Sequence, residues 1–344
     1  MAKTRMGIIG LGLAVTPHAK SLLDLSDRVE VAHATSRTAE RRQAFAADFP
    51  FPLADSVDTI LDDASIDAIL LLTTPDCHLE FVRRAAAAGK HILMEKPLDV
   101  TSERAAELVA TCRDAGVTLG IVLQHRFRPA GERLGEILAS GRLGGLVGAS
   151  LYVHIWRPQS YYDQPGRGDK LRDGGGVLLT QGIHPIDLFI SLAGQPVEVT
   201  GYARTTPLHQ METEDMAVAA LSFENGAIGT ISATTCAIPG APERIELICE
   251  KGTAILEGGL NLHIAYHDGT EEIIESDETP GGTGADPMSG SYAHHRSVLA
   301  DFLDALDEGR EPRVTGEAAL KSHRLIDAIL ESAEQGRPVA VIRD

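Results

Sequence analysis

Cysteine, aromatic rings, basic charge and long apolar runs are all scarce in this chain, and each scarcity narrows what it can be. Four cysteines, Cys77, Cys112, Cys236 and Cys249, are scattered through 344 residues without CxxC spacing. That argues against a disulfide framework, which a chain of this length does not need to hold a core. A reducing compartment, the cytoplasm, is the expected location. No apolar run reaches the roughly 18 residues of a membrane span. Lys3 and Arg5 precede an apolar stretch, but it is broken by glycine and runs into Thr16-Pro17-His18 with no small-residue cleavage site, so it does not read as an export signal. Lys and Arg number 31 against 49 Asp and Glu, a net charge of −18, which argues against nucleic acid as a partner because phosphates are held by basic side chains. His294-His295 and the His263, His267 pair lack further ligands at zinc spacing, so no metal is expected and His294-His295 reads as polar surface.

What is present is organised in two styles. Up to residue 122, apolar strands alternate with helical patterns: strands over 6–9, 29–34, 68–72, 91–94 and 118–122, helices over 13–25, 38–47, 76–88 and 101–115. This is the βαβ rhythm of a doubly wound parallel sheet with right-handed crossovers. Gly89 and Gly116 fall at helix C-caps, and Thr101 or Ser102 at an N-cap. A helix over 129–140 then leads into a strand over 146–154, and from Val197 onward strands follow one another with little helix between. Asn225-Gly226 and Asp268-Gly269 each join two strands (217–223 with 227–235, 261–266 with 271–275) and suit tight primed turns. Further strands are expected over 243–249 and 254–257, a mobile loop over 277–290, and helices over 292–306 and 317–334 that pack back on the domains. The fold class is therefore α/β plus α+β: a dinucleotide-binding Rossmann domain over 1–122 and a substrate-binding domain over 123–344 built on a large, mostly antiparallel open sheet. An apolar outer face on that sheet would serve association.

Two constellations carry chemistry. Glu95-Lys96-Pro97 closes the strand over 91–94, and ligands of open parallel sheets bind outside the carboxyl ends of the strands, so Lys96 is placed to act on a bound molecule. The alternative is a solvated turn lysine. The second constellation is Gly174-Gly175-Gly176 followed by Thr180, Gln181, Gly182, His184, Pro185 and Asp187. The glycines let backbone approach a ligand closely. Pro185 suits a first helical position, which puts His184 near an N-cap, where the helix dipole keeps the imidazole neutral and able to accept a proton. Asp187 either offsets that dipole or orients His184. At the amino end, Met6-Gly7-Ile8-Ile9 breaks into Gly10-Leu11-Gly12 before a helix, a turn that suits a pyrophosphate on a helix N-terminus, although Val15 stands where a third glycine is expected.

Taken in this order, Gly10-Leu11-Gly12, Thr74-Pro75 with His78, Glu95-Lys96-Pro97, the glycine triplet with His184 and Asp187, and the tail Asp301-Phe302 with Gly309-Arg310 resemble the Gfo/Idh/MocA oxidoreductases, the glucose-fructose oxidoreductase and inositol dehydrogenase family, over essentially the whole chain. The resemblance implies hydride transfer between a nicotinamide and a carbon of a sugar, sugar derivative or cyclitol. It also implies a homodimer or homotetramer formed through the second domain's sheet, while the lack of a long apolar run argues against a membrane partner. On the matching positions the dinucleotide is expected at Gly10, Leu11, Gly12, Leu13, Ala14, Thr73, Thr74, Pro75, His78, Glu95, Lys96 and Gln124. Many relatives carry Asp or Asn four residues before the histidine; this chain has Thr180, whose hydroxyl can hold a substrate but cannot relay a proton as a carboxylate does.

Lys96 and His184, from separate domains, are expected to converge beside the nicotinamide, His184 as base and Lys96 stabilising charge on oxygen, with Lys96 as base the alternative. NAD-preferring sites place a carboxylate after the second strand, whereas this chain has Ser36-Arg37 with Arg41 a turn on, which favours the 2'-phosphate of NADP while leaving NAD open. Substrate is expected among Lys96, Arg126, Trp156, Arg157, Tyr161, Tyr162, Lys170, Arg172, Thr180 and His184, since rings pack on sugar faces and basic groups engage hydroxyls or acids. Trp156 is the chain's single tryptophan. Two other functions fit the same motifs: a redox-neutral enzyme with tightly held cofactor, and a dinucleotide-binding sensor without turnover.

Overall fold

The computed structural model describes residues 3–278 and 291–343. The chain forms two compact units, Met1–Gln124 with Tyr292–Leu320, and His125–Ser291 with Lys321–Asp344.

The first unit is built on five parallel strands: β1 (Thr4–Ile9), β2 (Val29–Thr35), β3 (Ala68–Leu71), β4 (His91–Glu95) and β5 (Leu119–Val122). Their spatial order is β2-β1-β3-β4-β5. Every residue of β3 and β5 is buried, the signature of a sheet covered by helices on both faces, which is why these strands read as unbroken apolar runs. The direction of winding reverses between β1 and β3, and the crevice of a doubly wound sheet opens at such a point. The unit's longer helices include Val15–Asp24, Ala39–Asp48, His78–Ala87, Ser102–Ala115 and Ala293–Glu308. Thr38 and Thr101 cap two of them, their hydroxyls accepting from the amides of Arg41 and Arg104. Where one helix was expected over 76–88, a 3₁₀ turn at Pro75–Cys77 precedes the α-helix, as the fixed φ of Pro75 favours a tight first turn. Ala293–Glu308 packs on Val15–Asp24, and its Phe302 lies so close over β5 that a Cβ on Gly120 would come within 2.9 Å of the ring.

The second unit is a nine-stranded sheet: β6 (Leu146–His154), β7 (Glu198–Arg204), β8 (Met216–Ser222), β9 (Ile228–Thr234), β10 (Arg244–Cys249), β11 (Gly252–Glu257), β12 (Asn261–Tyr266), β13 (Glu271–Ile274) and β14 (Val339–Ala340). All neighbours are antiparallel except β6 and β9. Ala149, Leu151 and Val153 of β6 alternate toward the inner face, against which helix Ile183–Ala193 lays Phe189, itself fully buried. Burial of a ring that size contributes about 1.5–3 kcal/mol. The outer face stays partly apolar: Tyr202 pairs with Val218 across β7 and β8, and Ile248 and Ile228 flank Gly148 across three strands.

Both expected hairpins form, but their turns are not primed. Among the described residues only glycine adopts positive φ, whereas a type I′ turn needs it at both central positions. Instead Phe223 and Tyr266 each close a three-residue loop: the Gly226 amide donates to Phe223 O at 3.0 Å and the Gly269 amide to Tyr266 O at 3.0 Å. Each glycine sits at φ +85 after the turn, the three-residue hairpin with a glycine bulge. Asn225 Oδ1 and Asp268 Oδ1 accept from the amides of Ala227 and Thr270, so these side chains complete the turn rather than adopting the left-handed conformation. Short helices at Asp58–Leu61, Gln159–Tyr162 and Val177–Thr180 were not expected from the pattern. The expected loop over 277–290 lies, from 279 on, outside the described residues.

Candidate active site

Gly10 opens the crevice of the first unit. Its amide donates to Thr35 O at 2.9 Å, its φ is +107, and an added Cβ would sit 2.6 Å from the Leu72 backbone, so only glycine fits. At Gly12 an added Cβ would meet nothing within 4 Å, just ahead of helix Val15–Asp24, whose first amide donates to Gly12 O at 3.2 Å. Leu13 is exposed and Ala14 occupies the N-cap. At the end of β2, Arg37 and Arg41 are exposed, and the Ser36 carbonyl accepts from Arg42, which also pairs with Asp55 at 3.0 Å. No carboxylate follows β2 in the sequence before Glu40.

Lys96, half-buried, follows β4. Its amide donates to Glu95 Oε2 at 3.1 Å, while Glu95 Oε1 lies 2.8 Å from Nε2 of His18, a buried residue of the first helix. Burial pushes the Glu95 carboxyl up, but His18, Lys96 and His295 outweigh it and hold the group below the ordinary carboxylate range. The His295 ring meets His18 edge-on at 5.2 Å, so His295 is half-buried beside this pair rather than plain polar surface. Ligand atoms of His18, Glu95 and His295 lie within 4.8 Å of one another.

His78, expected against the cofactor, is fully buried: Nδ1 lies 3.1 Å from Pro97 O and 3.0 Å from Leu98 O, and Nε2 3.0 Å from Thr73 O. A ring with no accessible surface has no face for a ligand; it ties the Thr73-Thr74-Pro75 loop to the loop after Lys96. Burial lowers its affinity for a proton against the pull of those carbonyls. Gln124 begins a 3₁₀ turn, Gln124–Phe127.

In the second unit, His184 is the second residue of helix Ile183–Ala193, with Gly182 at the N-cap and Pro185 third. The helix starts earlier than expected because Pro185 is tolerated throughout the first turn, where no amide is needed. The His184 ring stacks on His125 at 5.0 Å and 24°. His125 Nδ1 lies 3.1 Å from Glu243 Oε1, and Arg128 pairs with the same oxygen. Burial raises the Glu243 carboxyl, yet His125 and Arg128 bring it down to about 2. Asp187 neither faces solvent nor serves the dipole alone: its two oxygens accept from Nε and Nη2 of Arg126, both at 2.7 Å. Burial pushes Asp187 up against the pull of Arg126; a bidentate bond to an always-charged guanidinium keeps the pair ionised. Arg126, expected at the substrate, is thus bonded to Asp187. Thr180 donates to Gly176 O at 2.7 Å and lies 2.5 Å from Gln181 Oε1.

The glycine triplet has a different reason from the one expected. A Cβ on Gly176 would lie 1.9 Å from Glu214 O, and one on Gly175 2.8 Å from Leu179 Cβ, so the close approach is made by the protein itself. Glu214 is buried and accepts from the Gly176 amide at 3.1 Å and the Leu178 amide at 3.0 Å, fixing the segment that carries Thr180. Burial raises its carboxyl above the ordinary range. In the aromatic loop, the guanidinium carbons of Arg157 and Arg167 lie over the Tyr161 ring, 5.6 and 5.1 Å from its centre. Lys170 is exposed and Arg172 donates to Pro165 O. Tyr162 is packed inside, its hydroxyl donating to Thr235 at 2.9 Å, and burial drives its pKa above the usual range, so it is core rather than substrate contact. His209, Asp215 and Cys236 form a second group of ligand atoms within 4.8 Å.

Sequence reasoning missed His18, His125, Arg128, His209, Glu214, Asp215 and Glu243. The one local signal available was Glu214-Asp215, an acidic doublet directly before an apolar strand. No helix of the described residues is long and apolar enough to cross a membrane.

Residues 4–122 match the oxidoreductase family with an NAD-binding Rossmann fold, and residues 132–255 match the GFO/IDH/MocA C-terminal domain. The chain is 28% identical to D-xylose 1-dehydrogenase (NADP(+)) 2 of Haloferax volcanii over 337 residues, 97% of this chain and 98% of that one. It is 26% identical to myo-inositol 2-dehydrogenase of Thermotoga maritima over 349 aligned positions, again 97% and 98% of the two chains. Among solved structures, the WlbA dehydrogenase of Bordetella pertussis in complex with NADH and UDP-GlcNAcA superposes with a TM-score of 0.85, at 28% identity and full coverage of both chains.

Proposed function

Because the chain belongs to the GFO/IDH/MocA oxidoreductases, we propose that it moves a hydride between NADP and a CH–OH carbon of a sugar, sugar derivative or cyclitol, with Lys96 and His184 handling the hydroxyl proton. It is an NAD(P)-dependent oxidoreductase. The observation that carries it is Lys96 at the carboxyl end of β4, its amide fixed by a Glu95 that His18 holds.

The turn fits a dinucleotide: an added Cβ at Gly12 would meet nothing within 4 Å, and the following helix has Ala14 at its N-cap with no side-chain cap, an N-terminus of the kind at which a pyrophosphate is stabilised. A bound nicotinamide supplies the acceptor for the hydride. The chain's own residues do the rest. His184 takes the hydroxyl proton, its ring backed by His125. Lys96 donates to the same oxygen and stabilises the negative charge that grows there as the carbonyl forms. Thr180 offers a hydroxyl for substrate contact, and Tyr161 with Trp156 offers ring faces. Turnover of NADP⁺ across a panel of aldoses, inositols and sugar acids, followed by absorbance of the reduced nicotinamide, tests this; tight cofactor binding with no reduction by any of them would favour the sensor reading.

Arg37 and Arg41 support NADP, since they stand exposed after β2 with no carboxylate to bind ribose hydroxyls. Arg37→Glu is expected to weaken NADP binding by about 10-fold to 100-fold, as a charge-assisted bond to phosphate is lost and a repulsion added. NAD affinity should move far less in the same titration, and equal losses would refute the assignment. The oligomer we propose pairs copies through the outer sheet face on which Tyr202, Val218, Ile228 and Ile248 stand exposed, since apolar side chains grouped on one sheet face are what association covers. Light scattering should give the mass of a dimer or larger; a monomer mass at micromolar concentration contradicts it.

A further inference from the structure

We infer that His209 donates from both ring nitrogens and so latches the Arg157-Pro158 peptide onto Asp215, a positioning residue for the substrate loop; its functional side rests on the substrate reading above. His209 and Asp215 side chains have no exposed surface. His209 Nε2 lies 2.8 Å from the Arg157 carbonyl oxygen, which can only accept, so Nε2 carries a proton. Nδ1 lies 2.8 Å from Asp215 Oδ2. That carboxylate is already an acceptor on both oxygens: Oδ1 from the Thr206 amide at 2.8 Å and Oδ2 from the Thr206 hydroxyl at 2.7 Å. Burial opposes its ionisation, but these bonds and His209 outweigh it, and Asp215 stays below the ordinary range. Two lone pairs would otherwise face each other across 2.8 Å, so Nδ1 carries a proton too.

A metal ion between His209, Asp215 and Cys236 is the competing way to bridge those lone pairs. Donors sharing one tetrahedral zinc at about 2.0–2.1 Å each stand roughly 3.3 Å apart, wider than the 2.8 Å seen here. A charge-assisted proton bridge spans about 2.7–2.9 Å. Cys236 Sγ, 3.8 Å from Nδ1, has its thiol raised by burial and is a neutral neighbour. A Cys-His-Asp relay is ruled out on the same grounds, because thiol and carboxylate face one ring nitrogen while the other holds the carbonyl.

The latch closes a ring of bonds. The Arg157 amide donates to Thr235 O at 3.0 Å and the Thr235 amide donates to Asp215 O at 3.0 Å, so both backbone groups of Arg157 trace back to Asp215, one through Thr235 and one through His209. The His209 ring lies 4.8 Å from that of Tyr162 and 6.1 Å from that of Trp156. The backbone next to the chain's single Trp is thus tied down through two side chains that have no exposed surface.

The test is nitrogen NMR of protein labelled in its histidine rings, with the His209 signals identified by their loss in His209→Gln. Both ring nitrogens should show protonated shifts with slowly exchanging N–H protons; one bare nitrogen, or stoichiometric zinc in the purified protein, overturns the inference. Kinetics separate latch from function. Asp215→Asn lets a neutral imidazole keep both bonds, the new amide donating to Nδ1, and KM should stay within about 3-fold of the parent. His209→Gln should raise KM about 10-fold to 100-fold with little change in kcat. An unchanged KM in a folded His209→Gln protein removes the positioning role, whereas absence of any sugar turnover by the parent removes the substrate reading and leaves the NMR result standing.

Discussion

Lys96→Met is expected to lower kcat by about 100-fold to 10,000-fold while leaving thermal unfolding close to that of the parent. Methionine keeps the apolar stem of lysine and removes only the charged head, so packing around this half-buried side chain changes little. The backbone there is fixed independently, through Glu95 and His18. What disappears is a donor to the oxygen on which negative charge develops, and such a donor acts mainly in the transition state, so kcat suffers rather than KM. A solvated turn lysine would give an unchanged kcat, and stopped-flow measurement of hydride transfer distinguishes the two.

His184→Asn is the second large effect, again about 100-fold to 10,000-fold in kcat, because no other group on the helix can take the hydroxyl proton. Asp187 cannot substitute, since both its oxygens are bonded to Arg126. Asn fills the position above His125 with a polar group of smaller size, and the pair of His125 with Glu243 beneath it is untouched. The sign with pH follows from the role: a base must be unprotonated, so the parent rate falls on the acid side, and the residual rate of His184→Asn should lose that acid limb. Retention of an unchanged acid limb would assign the proton elsewhere.

Much of the frame could be read from one-dimensional pattern because local rules dominate there. Buried parallel strands leave apolar runs such as Ala68–Leu71, and Gly10 at φ +107 marks a backbone that no other residue can adopt. Gly116 at φ +69 marks a helix end for the same reason. The Asn225-Gly226 and Asp268-Gly269 dipeptides placed the hairpins correctly but not their turn type, since one extra loop residue shifts the left-handed position onto glycine alone.

The supports of the candidate site were not legible. Glu243 meets His125 over 118 positions of sequence by subtraction of their numbers, and Glu214 reaches back 38 residues to Gly176. Nothing local distinguishes such a carboxylate from a solvated one; only the sheet brings it under the residues it holds. Gly176 was read as room for a ligand for the same reason, when the room is filled by Glu214.

The most direct measurement of the central claim is kcat of the Lys96→Met, His184→Asn double variant beside the two single variants. Residues that serve one chemical step fail together, so the double variant should lie within about 10-fold of the slower single one. Losses that multiply in full would mean that the ammonium and the imidazole serve separate steps, and would contradict the account.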